Sequence, residues 1–399
     1  MCRTSCLSAF LLLLQFVIRS DAGFGVGGGV GVGVGGGGGG GVWIGGGGVG
    51  SPSPSGSSLK VAYVAIQAWK SAITGDPLGI LKTWVGPNVC AYKGIFCAEP
   101  QNGGGLGPVV AGIDLNKASL QGVLVDELSM LSDLSLIHLN SNRFSGTVPE
   151  SFGALNFLQE LDLSNNQFSG SFPEATLQIP NLIYLDLRFN SFTGPIPEDV
   201  FYKPLDAILL NNNHFEGPIP SNLGSSPASV INLANNMLTG DIPSSFSFMG
   251  SRLKEILFLN NRLTGCVPQG IGFLSQVEVL DFSFNSLVGH LPDTISCLNK
   301  IEVLNLGHNG LSGELPDLVC SLKNLINLTL AYNFFSALDE DCGRLLFGRF
   351  DFSGNCIPGR VMQRSGHECS MVPGGGLSCL RIPAVEPIVC GSPTMRQSP

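Results

Sequence analysis

The chain has 399 residues, of which 13% are charged and 54 are glycine, and its net charge is −9. Because phosphate neutralisation requires clustered Lys and Arg, this acidic balance argues against nucleic-acid binding and is better suited to a basic partner. The length alone would allow two or three globular domains, so internal repeats have to be considered before domains are counted.

Residues 1–22 have the pattern of a secretory signal peptide. Arg3 provides a basic start, an apolar run extends from Leu7 to Ile18, and Ser20 and Ala22 are small residues before a cleavage point. The run is shorter than the roughly 20 apolar residues that a spanning helix needs, so a membrane anchor is the weaker alternative. The sequence therefore predicts a secreted, extracellular protein without a membrane span.

Residues 23–58 are dominated by glycine and end in a Ser/Pro/Gly segment. Their apolar content is too low to offset the backbone entropy lost on folding, which predicts a disordered leader and linker. Such a segment could be a spacer, an elastic element or an attachment to wall polymers, and composition does not separate these roles.

Residues 59–108 are predicted to form an N-terminal cap. Apolar residues recur at helical spacing between Leu59 and Leu81, and Cys90 and Cys97 follow with six residues between them. A helix followed by a cysteine pair suits a cover for the open apolar end of a repeat array. The sequence therefore predicts a Cys90–Cys97 disulfide.

Residues 109–358 repeat the pattern L-x-x-L-x-L-x-x-N-x-F-x-G-x-x-P, with a clear copy from Leu158 to Pro173. The register asparagine recurs at steps of 22 to 25 residues, at positions 142, 166, 190, 213, 236, 261, 285, 309, 333 and 355. With a degenerate first copy near residue 118, this makes about eleven repeats, of the length typical of leucine-rich repeats. The predicted fold is an α/β-type single leucine-rich-repeat solenoid, with residues 359–399 forming a C-terminal cysteine-containing cap and tail.

The consensus positions have distinct predicted roles. The strand leucines point inward while the residues between them point outward. Each register asparagine hydrogen-bonds backbone groups of the following turn, and stacked asparagines form a ladder. Phe168, Phe192 and Phe215 fill the interior, and the glycine two residues after each of them adopts unusual backbone angles.

The outward strand positions define a predicted binding surface on the concave side. It combines carboxylates with exposed aromatics and leucines, a mixture that suits a basic peptide steered by charge and anchored by aromatic rings. The alternative is an ordinary solvated face with scattered apolar residues. The candidate ligand-binding residues are Asp162, Asp186, Phe189, Leu257, Leu259, Asp281, Phe284 and Tyr332.

No residue pattern predicts catalysis. Asp162 and Asp186 occupy equivalent positions about 4.8 Å apart and could resemble a glycosidase pair, but the repeat itself accounts for their placement. The five histidines show no metal-ligand spacing, and no nucleophile motif occurs. We therefore expect no enzymatic activity, no cofactor and no metal.

Ten cysteines remain after residue 22, which indicates an oxidising compartment. Cys297 and Cys320 fall at nearly the same place in successive repeats, which predicts a bridge between them. Cys266 has no partner in register, and the C-terminal group of five cysteines is odd in number. A free or intermolecular thiol, and with it a homodimer, therefore stays open. A sequon at Asn327 predicts glycosylation.

Several stretches go beyond the general repeat consensus and resemble the leucine-rich-repeat half of the plant leucine-rich repeat extensin proteins. They include VAGIDLNKASLQG from Val110, ELDLSNNQFSGSFP from Glu160 and NCIPGR from Asn355. The resemblance covers roughly residues 59–390. It implies a cell-wall location, binding of small, basic, cysteine-containing peptides of the rapid alkalinisation factor type, and influence on wall growth.

Three departures from that family stand out. Serine–proline runs of the extensin half are missing, apart from a trace at Ser51–Ser55. The family has cysteines where this chain has Ser145 and Asp241, so a family bridge to Cys266 is lost. The glycine-rich leader is unusual. A polygalacturonase-inhibitor-like protein and a passive structural wall component remain alternatives, whereas a receptor-kinase ectodomain is disfavoured because neither a span nor a kinase follows.

Overall fold

The computed structural model describes residues 57–100, 107–316, 319–338, 342, 350–373 and 390. All of them belong to one of the chain's two compact units, Gly50–Pro399. The predicted signal peptide and nearly all of the glycine-rich leader lie outside the described residues, as does most of the chain after Pro373.

Short strands, one per coil, stack into a twelve-stranded sheet that we call the long sheet. Its first two strands pair antiparallel, and every later pair is parallel. The strands are β2 (Ile95–Ala98), β3 (Val109–Asp114), β5 (Leu136–His138), β7 (Glu160–Asp162), β9 (Tyr184–Asp186), β11 (Ala207–Leu209), β13 (Val230–Asn232), β15 (Glu255–Leu257), β17 (Val279–Asp281), β19 (Val303–Asn305), β21 (Asn327–Thr329) and β23 (Phe350–Asp351).

A second set of strands follows the register asparagines on the next side of each coil. An eight-stranded sheet contains β1 (Ile73–Gly75), β4 (Gln121–Val123), β6 (Arg143–Gly146), β8 (Gln167–Gly170), β10 (Ser191–Gly194), β12 (His214–Pro218), β14 (Met237–Asp241) and β16 (Arg262–Thr264). A three-stranded sheet continues with β18 (Val288–His290), β20 (Gly310–Glu314) and β22 (Phe334–Ala337).

Helices are short outside the N-terminal cap. Within the described residues, the α-helices are α1 (Ser57–Ala72), α2 (Ala175–Gln178) and α3 (Gly366–Cys369). The 3-10 helices are Ile80–Thr83, Val89–Ala91, Asp126–Met130, Glu150–Ala154, Glu198–Phe201, Leu223–Ser225, Ser244–Met249, Gln269–Phe273, Asp293–Cys297 and Val319–Ser321.

The predicted roles of the consensus leucines, phenylalanines and glycines are confirmed, and the register asparagines form the predicted ladder, but they bond preceding carbonyls of their own coil and groups of the neighbouring coil rather than the turn that follows. Leu161 and Leu163 are fully buried. Phe168 and Phe192 stack with their ring centroids 6.4 Å apart. Asn166 Nδ2 donates to the carbonyls of two coils, while its Oδ1 accepts the backbone N–H of the preceding coil at 3.0 Å. The same arrangement recurs at the other register asparagines, so buried backbone groups are satisfied along the core.

The predicted helix from Leu59 to Leu81 is wrong at its C-terminal end, because α1 ends at Ala72. The chain then forms β1, which pairs antiparallel with β4. β-Branched residues followed by Gly75 and Pro77 disfavour continuation of the helix. Helix α1 still closes the core, because its buried Trp69 contacts both Trp84 and the first stacked phenylalanine.

The predicted Cys90–Cys97 disulfide is present, with its Cα atoms 5.6 Å apart. The predicted Cys297–Cys320 bridge is wrong. Cys297 bonds Cys390, and Cys320 bonds Cys342. Cys297 and Cys320 differ by one residue in their distance from the register asparagine. One residue turns a 3-10 helix by about 120°, so the two side chains point in different directions.

The sequence left a free thiol at Cys266 open as a possibility, but Cys266 is disulfide-bonded. The odd count assumed that the C-terminal cysteines pair only among themselves. Cys356 and Cys369 do so, but Cys390 bonds a cysteine of the repeats.

Candidate ligand-binding face

Each coil contributes four outward positions to the face of the long sheet that is turned away from the core. In the coil of β7 these are Glu160, Asp162, Ser164 and Asn165. The first three alternate with the buried leucines and so lie on the opposite side of the strand. Equivalent residues of successive coils lie side by side, roughly 4.8 Å apart.

The N-terminal part of this face carries an acidic patch, which we define as Asp114, Glu160 and Asp162. Asp114 and Asp162 flank His138 in the register of the sheet. The His138 Nε2 lies 2.9 Å from Glu160 Oε2. Burial alone would lower the pKa of His138, but the hydrogen bond and charge of Glu160, with the two aspartates, raise it above its usual value. The carboxylates of the patch therefore favour the protonated form of His138.

Asp186 lies next to Asp162 in the sheet but is completely buried, so its predicted exposure is wrong. Arg188 Nε contacts Asp186 Oδ2 at 2.7 Å, and the Tyr184 hydroxyl lies 3.3 Å from the same oxygen. Burial raises the pKa of Asp186 to about 7, although Arg188 opposes the shift. Since its neighbours cover it, Asp186 orients Arg188 rather than contacting a ligand.

Leu257 and Asp281 are also buried, so their predicted exposure is wrong too. In the sheet, Leu257 is flanked by Asn232 and Asp281. Asp281 accepts the backbone N–H of Ser283 at 2.9 Å and the Asn305 side-chain amide at 2.9 Å. Outward side chains on neighbouring strands lie one strand spacing apart and cover one another. The alternation of inward and outward residues along a single strand does not reveal this mutual coverage.

The predicted aromatic residues are exposed. Phe189, Phe284 and Tyr332 have 49%, 46% and 44% of their surface accessible, and Leu259 is partly exposed. All three aromatics stand immediately before a register asparagine and adopt left-handed backbone angles, with φ of 54°, 53° and 57°.

His308 shares this position, as the spacing of the repeats indicates, and joins two of these aromatics into a stack. Its ring centroid lies 4.1 Å from that of Phe284 and 4.4 Å from that of Tyr332. We call Phe284, His308 and Tyr332 the aromatic ladder. Periodicity places the three residues in one column, but only the structure shows that their rings stack.

The candidate residues therefore do not form one site. The acidic patch and the coil of Phe284 are five coils apart, which corresponds to about 24 Å. Phe189 belongs to the coil of β9 and lies nearer the acidic patch. The outward face thus has an acidic region toward its N-terminal end and an aromatic region toward its C-terminal end.

Asn327, the residue of the sequon, lies on β21 and is partly exposed. Its side-chain oxygen accepts a hydrogen bond from the Thr329 hydroxyl at 3.2 Å. Within the described ranges, no helix is both long and apolar enough to cross a membrane. The same ranges hold no cluster of three or more His, Cys, Asp or Glu residues arranged to bind a metal ion.

Comparison with known proteins confirms the repeat class. The Leucine rich repeat family matches residues 132–192, and a further Leucine Rich Repeat family matches residues 229–249, 276–298 and 300–322. Leucine-rich repeat extensin-like protein 7 of Arabidopsis thaliana is 64% identical over 226 residues, which cover 57% of this chain and 52% of that relative. The match thus spans about half the length of the relative, and it confirms the resemblance to extensin-like proteins.

Solved structures confirm the solenoid fold. The leucine-rich-repeat ectodomain of the Arabidopsis thaliana receptor kinase GASSHO1/SCHENGEN3 matches with a TM-score of 0.63 and 24% identity, covering 75% of this chain and 41% of that chain. The ectodomain of the Arabidopsis receptor kinase HAESA, in complex with an IDA peptide hormone, matches with a TM-score of 0.61 and 27% identity. That match covers 70% of this chain and 46% of the HAESA chain.

Proposed function

Because the chain is a leucine-rich-repeat solenoid related to the plant leucine-rich repeat extensin-like proteins, we propose that it is a secreted, cell-wall-associated binding protein. Its ligand is a small, basic, cysteine-containing signalling peptide of the rapid alkalinisation factor type, and binding influences wall growth. The protein acts by binding and not as an enzyme.

The acidic patch is the observation that carries this proposal. Asp114 and Asp162 make no close ion pair with a cationic side chain among the described residues, and His138, whose pKa their charges help to raise, is hydrogen-bonded to Glu160 instead, so both carboxylates can also contact a partner. Charge complementarity steers a cationic peptide toward such a surface. Phe189, half exposed one coil beyond Asp162, supplies an apolar anchor beside the charges.

The HAESA match supports a peptide as the ligand class, because that ectodomain of similar fold was solved with a peptide hormone bound. We further propose that Asn327 carries a glycan, since it is a partly exposed sequon residue. A glycan there stands on β21, seven coils from the patch at β7, and would leave the patch accessible.

Titration of the purified full chain with a synthetic basic cysteine-containing peptide tests the proposal. We expect saturable binding that weakens as salt rises, and a loss of about tenfold or more in affinity for Asp162→Lys. Asp199→Lys is the matched control, because Asp199 is an exposed acid in a 3-10 helix outside the long sheet.

If Asp162→Lys bound the peptide with the same affinity as the wild type, the acidic patch would not be the binding site. Absence of any binding by the folded wild type would reject the peptide-binding function itself. Inhibition of a polygalacturonase in a parallel assay would instead favour an inhibitor, and a passive wall component would show neither activity.

A further inference from the structure

The internal hydrogen bonds of the acidic patch use only one oxygen of each carboxylate. Oδ1 of Asp114 and Oδ1 of Asp162 each accept a backbone N–H two residues further along the chain, at 3.0 Å and 2.9 Å. Glu160 uses Oε2 for its contact with His138. Within the described ranges, the second oxygen of each carboxylate makes no hydrogen bond, and all four side chains are partly exposed. The patch is therefore open to a ligand and has acceptors to offer it.

His138 lies at the centre of these carboxylates. In the register of the long sheet it is paired with Asp114 on β3 and with Asp162 on β7, and Glu160 contacts it from β7. The two strands packed against β5 thus present only negative charge to the imidazole. Lys117, which follows β3, is exposed and forms no ion pair in the described part of the chain. A protonated His138 therefore neutralises one of the three negative charges of the patch.

A basic ligand and the protonated His138 compete for the same carboxylate. A Lys or Arg side chain that pairs closely with Glu160 lies within a few ångströms of the imidazolium, and like charges at such distances disfavour each other. A bound cation thus favours neutral His138. Because linked equilibria are reciprocal, neutral His138 favours the bound cation by the same factor.

The competing charge depends on pH in the range where histidine titrates. Burial alone would lower the pKa of His138, but the hydrogen bond and charge of Glu160, with the charges of Asp162 and Asp114, raise it above its usual value. At mildly acidic pH the imidazolium therefore occupies Glu160, and at mildly alkaline pH it does not.

We propose that His138 is a proton-coupled gate of the acidic patch: a cationic side chain of the ligand takes Glu160 from His138, and the imidazolium releases its proton to solvent. The affinity for a basic ligand then rises with pH and falls in an acidic medium. The inference rests on the function proposed above, because it concerns the regulation of the same patch.

Titration of the purified full chain with two probes tests the gate between about pH 5.5 and about pH 8 at constant ionic strength. One probe is the basic cysteine-containing peptide and the other is pentalysine, which offers cations alone. We expect the affinity of the wild type for both probes to rise about fivefold over this range. Calorimetry in two buffers of different ionisation enthalpy should detect the release of up to about one proton per bound ligand.

His138→Gln removes the titrating group and retains a side-chain N–H donor for Glu160, so it should lose most of the rise in affinity. His214→Gln is the matched control, because His214 is exposed on β12 outside the long sheet, and it should behave as the wild type. Asp186, whose pKa burial raises to about 7, is retained in both variants. The difference between the two variants therefore measures His138.

NMR titration of the wild type supplies a test that needs no variant. Saturating pentalysine should lower the pKa of His138 and leave the ring signals of His214 unchanged. An unchanged His138 pKa, or the same rise in affinity for wild type and His138→Gln, would overturn the gate.

The two probes separate failure of the gate from failure of the proposed function. Binding of the cysteine-containing peptide without dependence on His138 would overturn the gate alone. Binding of pentalysine that depends on His138, without binding of the cysteine-containing peptide, would support the gate and reject the proposed function. Absence of binding of either probe by the folded wild type would overturn both.

Discussion

Arg188 Nε contacts the completely buried carboxylate of Asp186 at 2.7 Å. The two residues stand on the outward side of the long sheet, yet they bind each other and leave no carboxylate for a ligand. Their pairing explains why a position predicted to bind has a structural role, and it makes the stability of this coil dependent on pH.

Arg188→Ala should lower the free energy of unfolding by about 3 kcal/mol at mildly alkaline pH, where Asp186 is ionised and would be left buried without its partner. The loss should shrink as pH falls. Burial raises the pKa of Asp186 to about 7 in the folded protein, whereas the unfolded chain protonates this carboxyl only near its usual, lower pKa. As the pH falls, Asp186 is therefore protonated in the folded state first, and protonation removes the uncompensated charge.

Urea unfolding of the wild type and of Arg188→Ala at mildly alkaline and at mildly acidic pH measures this difference. Arg143→Ala is the control, because Arg143 is an exposed arginine on β6, and it should change the free energy of unfolding little at either pH. A loss that is constant with pH would show that Asp186 does not titrate in this range.

Glu160→Gln should lower the pKa of His138, because Glu160 supplies both the hydrogen bond and the largest of the neighbouring charges. The folded pKa of His138 is raised, so the pair stabilises the fold below the usual histidine value near 6.5, and this contribution is lost as pH rises through the raised pKa. The effect on stability should stay below about 1 kcal/mol, since both side chains are partly exposed.

NMR titration of the His138 ring, compared between wild type and Glu160→Gln, gives the pKa directly. Glu198→Gln, an exposed acid in a 3-10 helix, should leave the titration unchanged. An identical His138 pKa in Glu160→Gln would contradict the contact.

Asn213→Ala should lower the free energy of unfolding by about 3 kcal/mol. It removes the donor to two buried carbonyls, those of Leu187 and Leu210, and the acceptor for the Phe192 N–H. Asn181→Ala is the control, because Asn181 is exposed and donates to one carbonyl only. Chemical denaturation of both variants should show a clearly larger loss in the free energy of unfolding for Asn213→Ala. Equal losses would mean that the buried asparagines do not contribute the predicted stability.

Peptide mapping of the purified protein without reduction should recover Cys297 linked to Cys390 and Cys320 linked to Cys342. Alkylation before reduction should leave Cys266 unlabelled, since it is disulfide-bonded. Recovery of a Cys297–Cys320 peptide would contradict the structure. Replacement of both Cys356 and Cys369 by serine, which opens a short C-terminal loop, should cost about 3 kcal/mol in stability.

Much of the fold follows from the periodicity of the sequence. Residues one repeat apart, such as Phe168 and Phe192, must stack once each coil has the same path, and their register asparagines must form a buried ladder. The inward leucines and the Cys90–Cys97 bridge are likewise local consequences of spacing. For the binding face, the repeat register correctly located the exposed aromatics Phe189, Phe284 and Tyr332.

Only the tertiary structure decided which outward side chains are accessible and which cysteines pair. Asp162 and Asp186 occupy the same repeat position. Tyr184 and Arg188 cover Asp186, whereas Asp162 remains partly exposed. Accessibility depends on the sizes and charges of neighbours in adjoining coils, and disulfide pairing depends on a distance in space. Cys297 and Cys390, 93 residues apart, have Cα atoms separated by 5.2 Å. Spacing along the chain predicts neither the accessibility of a side chain nor the distance between two cysteines, because both arise only when distant segments pack together.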